Sequence, residues 1–209
     1  KNIFSTKAFQ NGFFEVQDGG SQLVSLLLDV RPGMRVVDAC AGAGGKSLHI
    51  ASLMKNKGKI ISLDINERRL KDLRTRATRN GVDIIEQKII DSQKVIKRFE
   101  NSFDRVLLDV PCTGSGVLRR NPDAKWKIKK DDLQNLLQTQ KEILGSYSQM
   151  LKKDGRLVYA TCSLFPDENE NQVKQFLEAH PDWKLDNEFH IRPDKTPFDG
   201  FYAAALVRR

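Results

Sequence analysis

The strongest constraint on this chain is a repeated alternation of short apolar runs with amphipathic stretches. Residues 35–38, 59–64, 84–90, 105–110 and 156–161 read as strands, several of them almost uninterrupted in Val, Ile and Leu. Helical signals fall between them. Asp18 caps a stretch containing Leu23, Val24, Leu26 and Leu27, which Pro32-Gly33 stops. Leu48, Ile50, Ala51 and Leu53 mark a second helix, and Asn66 caps a third that runs to Asn80-Gly81. Asp131 opens a long helix with Leu133, Leu136, Leu137, Leu144, Tyr147 and Leu151 on one stripe, and Val173, Phe176 and Leu177 belong to a helix after Pro166. Strands near 184–189 and 201–207 close the chain. Strands this apolar are covered on both faces, so the pattern predicts an α/β fold around a mostly parallel, doubly wound sheet. With 209 residues, no internal repeat and no linker-like tract, one domain over 1–209 is expected, with 1–17 an irregular lead-in.

In such sheets ligands bind beyond the carboxyl ends of the strands. Cys40, Asp64, the run Asp109-Val110-Pro111-Cys112 and Thr161-Cys162-Ser163 all fall there. The loop Cys40-Ala41-Gly42-Ala43-Gly44-Gly45-Lys46 joins a strand to a helix, where glycines admit a ligand close to the backbone and free N–H groups face it. Three ligands compete for it. Gly45-Lys46-Ser47 matches the end of a P-loop, but the first glycine of that motif would sit at Cys40. A dinucleotide fingerprint, Gly42-x-Gly44-x-x-Ser47, lacks its third small Gly or Ala. S-adenosylmethionine has no pyrophosphate and asks for close backbone plus a ribose-binding acid, a place that Asp64 fills at the second strand end. The alternative role for Asp64 is to cap the helix that follows.

Charge adds a partner class. Lys and Arg number 35 against 27 Asp and Glu, a net +8 that favours a polyanion. Six of the bases (Arg119, Arg120, Lys125, Lys127, Lys129 and Lys130) lie within 119–130 around Trp126, an arrangement suited to RNA. A second cluster, Arg68, Arg69, Lys71, Arg74, Arg76 and Arg79, reads as a solvated helix face. No apolar stretch is long enough to span a bilayer, and the first residues lack the apolar core of a signal peptide. Three widely spaced cysteines form neither a disulfide framework nor a metal-binding pair. The expectations are the reducing cytoplasm, no membrane and no metal.

Two of those cysteines, Cys112 and Cys162, follow two strand ends that share one crevice. Methylation of a pyrimidine at carbon 5 needs such a thiol. That carbon is a poor nucleophile until a thiolate adds at carbon 6, and the adduct must later lose the carbon 5 proton and expel the sulfur.

These residues resemble the Sun/Fmu-type RNA 5-methylcytosine methyltransferases, the Nol/Nop/Sun family. The likeness runs from Val16-Gln17-Asp18 to Asp199-Gly200-Phe201, and it is most specific at residues 40–46, at 109–116 with Arg119-Arg120-Asn121-Pro122-Asp123, and at 161–163. It implies a Rossmann-like methyltransferase fold of seven strands, the last two forming a hairpin with one antiparallel member. It implies Cys162 as the nucleophile, Cys112 as the residue that assists release, and Asp109 as the acid that holds ring nitrogen 3 and approaches the cofactor. Cys40, Ala41, Gly42, Ala43, Gly44, Gly45 and Lys46 correspond to the loop around the methionine end of S-adenosylmethionine. Asp64 corresponds to the ribose ligand, Asp91 to the acid near adenine and Arg69 to a further cofactor contact. Arg119 and Arg120 correspond to RNA-backbone ligands.

The family pattern has proline at Ala43 and more commonly serine at Thr113; both changes conserve size. Family members carry an RNA-binding segment before the core, so 1–17 is read as the remnant of one. The resemblance implies a monomeric enzyme that methylates cytosine carbon 5 in RNA, ribosomal rather than transfer RNA. A P-loop nucleotide hydrolase and a non-catalytic RNA-binding module are the alternatives.

Overall fold

Each apolar run becomes a strand because alternate side chains enter opposite faces of one buried sheet. Val36 and Val37, or Leu107 and Leu108, are neighbours in sequence yet belong to different cores, and all four are fully buried. The computed structural model describes residues 2–127 and 129–208; the side chains of Lys127 and Lys130, counted in the basic stretch above, lie outside the described residues.

Seven strands form the sheet: β1 Arg35–Asp38, β2 Lys59–Asp64, β3 Ile85–Ile89, β4 Phe103–Asp109, β5 Leu151–Thr161, β6 Trp183–Ile191 and β7 Phe201–Arg208. Their order is β3-β2-β1-β4-β5-β7-β6. The pairings of β1 to β5 are parallel, and β7 runs antiparallel to both β5 and β6. The expected seven-stranded sheet with one antiparallel strand is therefore what forms.

The helices are α1 Lys7–Gln10, α2 Gly19–Leu27, α3 Gly45–Leu53, α4 Glu67–Arg79, α5 Gln93–Lys97, α6 Ala124–Lys127, α7 Lys130–Tyr147 and α8 Glu170–Ala179. One core lies where Val24, Leu28, Ile50 and Met54 of the α2–α3 side meet Val36, Leu107, Val158 and Ala203. The other gathers Leu144 and Tyr147 of α7 and Val173 and Phe176 of α8 against Val37, Leu63, Val106 and Tyr159. None of the described helices is long and apolar enough to cross a membrane.

Three local readings need correction. Leu151 fits the helical stripe of α7 by spacing, but α7 ends at Tyr147 and Leu151 starts β5, fully buried and paired with Phe103. The lead-in over 1–17 is not irregular throughout. A 3-10 turn at Ile3–Ser5 precedes α1, whose Phe9 N–H is capped by the Thr6 hydroxyl at 3.3 Å.

The basic face of α4 is only partly solvated. Arg76 donates to Glu15 at 3.0 Å, Asn80 donates to it at 2.8 Å, and Arg79 pairs with it as well. A carboxylate 61 positions before Arg76 could not be assigned to that face from the helix's own spacing.

Candidate active site

The strand order reverses between β1 and β4, and the crevice opens there beyond their carboxyl ends. Gly44 ends the glycine loop in the left-handed region, at φ 84°, as the N-cap of α3; a Cβ there would stand 2.4 Å from Leu73 Cγ. A cavity of about 760 Å³ follows, lined by Cys40, Ala41, Gly42, Ala43, Asp64, Arg69, Asp109, Cys112 and Cys162 among others. The structure thus brings together most of the residues expected at the site.

Each is held by identifiable partners. Asp64 accepts the Gly42 N–H and the Asn66 N–H, both at 2.8 Å, so it braces the glycine loop and also the turn into α4. Lys46 does not line the cavity; its Nζ lies 2.6 Å from Asp109 Oδ2. Burial works against the lysine charge, but the Asp109 carboxylate outweighs it and holds the Lys46 pKa above its ordinary value. Gly45 faces a neighbouring cavity with Gln17 and His49. Asp91 is exposed, accepts the Ser92 hydroxyl at 3.0 Å and does not line the crevice, although Ile90 and Gln93 do. Arg119 donates to the carbonyls of Pro193 and Pro197 at 3.0 and 2.6 Å, and Arg120 pairs with the buried Asp199. Both arginines tie the loop before β7 to the segment after Cys112, which no spacing argument revealed. Gly116 lies at the same junction, where a Cβ would meet Gly200 O at 2.3 Å.

Cys112 and Cys162 meet with their sulfurs 3.4 Å apart. The hydrogen bond shared with Cys112 lowers the Cys162 pKa below that of an ordinary thiol; burial and Asp109 oppose this, and Lys46 assists it. The same hydrogen bond, with burial and the charge on Cys162, pushes Cys112 well up. The pair is therefore asymmetric: Cys162 is the thiol that ionises more readily and Cys112 the one that holds its proton. Cys40 stays a thiol, raised by burial and by the surrounding Asp38, Asp109 and Asp64.

Two residues of the site went unread in the sequence. Asp38, at the end of β1, is buried and accepts only the Ser47 hydroxyl at 2.7 Å; its other oxygen has no partner among the described residues. Burial, against the Ser47 hydrogen bond and with the nearby Asp109, pushes its pKa up to about 6. Its position at a strand end was a usable signal. Glu168 is fully buried and bonded to the turns that carry both cysteines. In the run Pro166-Asp167-Glu168-Asn169-Glu170 it looks like any acid at a helix start.

The crevice carries more acid than base. Asp64, Asp109 and Glu142 line it and Asp38 lies just behind, against Arg69 and a Lys46 already committed to Asp109. A field of that sign repels a nucleoside triphosphate and suits a cationic ligand. This weighs against the P-loop alternative as directly as cysteine at position 40 does.

A family model described as 16S rRNA methyltransferase RsmB/F matches residues 25–207. The chain is 44% identical over 199 residues to a probable ribosomal RNA small subunit methyltransferase B from Bacillus subtilis, covering 94% of this chain and 44% of that protein. It is 37% identical to the ribosomal RNA small subunit methyltransferase B of Vibrio cholerae, covering 100% of this chain and 49% of that protein. The chain thus spans about half the length of the curated relatives it matches. Among solved structures, NSun6 from Pyrococcus horikoshii with SFG superimposes with a TM-score of 0.91 at 28% identity, covering 100% of this chain and 56% of that one.

Proposed function

Since this chain belongs to the 16S rRNA methyltransferase RsmB/F family, we propose that it transfers a methyl group from S-adenosylmethionine to carbon 5 of a cytosine in RNA. One catalytic domain over 1–209, a ribosomal substrate, a monomeric working unit and a cytoplasmic location complete the reading. The observation that carries it is the pair of cysteine sulfurs in contact at 3.4 Å, with pKa values moved in opposite directions, beside the Lys46–Asp109 ion pair.

The residues present fit the cofactor. Its sulfonium and ammonium charges match the acid surplus of the crevice, Asp64 is the candidate ribose ligand, and the loop from Cys40 to Ala43 lines the cavity. When bound, S-adenosylmethionine supplies an electrophilic methyl group.

The protein's own part is to make carbon 5 reactive. The Cys162 thiolate adds to carbon 6, forming a C–S bond and shifting the ring electrons toward carbon 5 and nitrogen 3. Asp109 is the candidate partner of nitrogen 3, with Lys46 supplying the balancing positive charge at 2.6 Å. After methylation the carbon 5 proton must leave and the C–S bond must break. Once Cys162 is tied up in that bond it carries no charge, so two of the causes that keep Cys112 protonated vanish. The Cys112 thiol can then release its own proton to solvent and, as the thiolate, take the carbon 5 proton while the C–S bond breaks and its electron pair returns to Cys162.

The test is a denaturing gel with cofactor and a small-subunit rRNA transcript. Cys162→Ala should yield neither methylation nor adduct. Cys112→Ala should accumulate an RNA–protein adduct, and the double variant should lose it. An adduct with Cys162→Ala but not Cys112→Ala reverses the two roles, and full activity in both variants removes the thiol mechanism.

A further inference from the structure

The two cysteines lie fifty positions apart on separate loops, yet their sulfurs touch. Something must register the loops against each other, and the strands do not suffice, since both residues lie beyond the strand ends. Beyond the strands the turns meet directly through the Gly116 N–H on the Cys162 carbonyl at 2.9 Å and the Leu164 N–H on the Ser115 hydroxyl at 2.8 Å, and Glu168 adds a buried carboxylate between the residues that follow each cysteine. Its carboxylate accepts the Thr113 N–H at 2.9 Å and the Thr113 hydroxyl at 2.6 Å, both from the residue after Cys112. It also takes the Ser163 hydroxyl, from the residue after Cys162, and the Gln140 amide of α7 at 2.9 Å. Four donors thus converge on one anion with no exposure to water. The Tyr159 hydroxyl donates to the Glu168 carbonyl at 2.7 Å, which fixes the turn that carries it.

We propose that Glu168 is a positioning residue that clasps the Cys112 and Cys162 turns together and so sets the contact between the two sulfurs. That the clasp matters for catalysis rests on the methyl-transfer reading above; that it holds the sulfurs together does not. Chemistry favours a carboxylate here. The Thr113 N–H and the Gln140 amide N–H can only donate, and the two hydroxyls are set to donate as well. A carboxamide of the same shape therefore exchanges charge-assisted bonds for neutral ones and must reverse the hydroxyls. Losing part of the clasp lets the turns separate, and a displacement on the order of 1 Å costs a reaction about a hundredfold.

Phenylarsine oxide measures the sulfur contact without RNA or cofactor. Its trivalent arsenic condenses with two adjacent thiols, forming two As–S bonds and releasing one water, with no change of oxidation state. Wild-type protein should take up one arsenical, read by intact mass, and Cys162→Ala should take up none. Glu168→Gln should bridge more slowly by about tenfold or more, with kcat falling in parallel, KM for S-adenosylmethionine unchanged, and part of both restored by Glu168→Asp. If Glu168→Gln does not fold, Thr113→Val removes one of the four bonds together with the hydroxyl's weaker contacts to Ser163 at 3.2 Å and Ser115 at 3.4 Å, and the bridging rate should fall by about two- to threefold. A folded Glu168→Gln, or failing that a folded Thr113→Val, that bridges at the wild-type rate overturns the proposal. Slower bridging in the variants of a chain that methylates no RNA would leave the clasp standing and remove the catalytic reading alone.

Discussion

Replacing Asp38 with asparagine removes a charge that the fold holds at a cost. Asp38 is buried, has one unpartnered oxygen, and keeps its proton up to about pH 6 where an ordinary aspartate releases it near 3.8. A difference of that size corresponds to about 3 kcal/mol between the two protonation states. Between pH 3.8 and about 6 the folded form holds a proton that the unfolded chain has lost. Wild-type stability from this group is therefore greatest in acid and drains as pH rises through that window, levelling above it. The carboxamide of Asp38→Asn cannot titrate. The stability of this variant relative to wild type should thus climb by about 2–3 kcal/mol between pH 4 and pH 7.5, whatever fixed cost or gain the amide brings against Ser47. Urea denaturation of both proteins across that range, without ligand, reads the difference directly. Titrating groups remote from Asp38 cancel between the two chains, and Cys40 and Lys46, which Asp38 raises, titrate above this range, so parallel stability curves would refute the reasoning.

Asp64→Asn should weaken S-adenosylmethionine binding by about 2 kcal/mol in calorimetry, since a charged acceptor becomes a neutral one. Unchanged affinity in a folded variant would leave Asp64 as a brace for Gly42 and Asn66 only. Replacing Arg119 and Arg120 together by Ala should flatten the log–log salt dependence of RNA binding by about one to two units. Because those side chains also hold Pro193, Pro197 and Asp199, the same variant should lose about 3–6 °C in Tm. A lower Tm with an unaltered slope would make both arginines structural.

The order of strands and helices was legible because period and capping are local. Val36-Val37 or Leu107-Leu108 declare a strand buried on both faces, and Asn66 declares a helix start, without reference to distant residues. The same locality explains the errors. Leu151 satisfies both the stripe of α7 and the first position of β5, and only its pairing with Phe103 decides. Arg76 and Arg79 look solvated until the lead-in delivers Glu15 to them.

By itself the sequence determined the doubly wound sheet, the glycine loop and which residues stand at strand ends, because each is written in neighbouring positions. Only the tertiary structure decided what those residues do to one another. It set Cys112 against Cys162 and Lys46 against Asp109, left Asp91 outside the crevice, and buried Glu168 between two loops. Protonation and reactivity depend on distance and burial, and in this fold residues fifty positions apart along the chain become neighbours only when β4 and β5 pair.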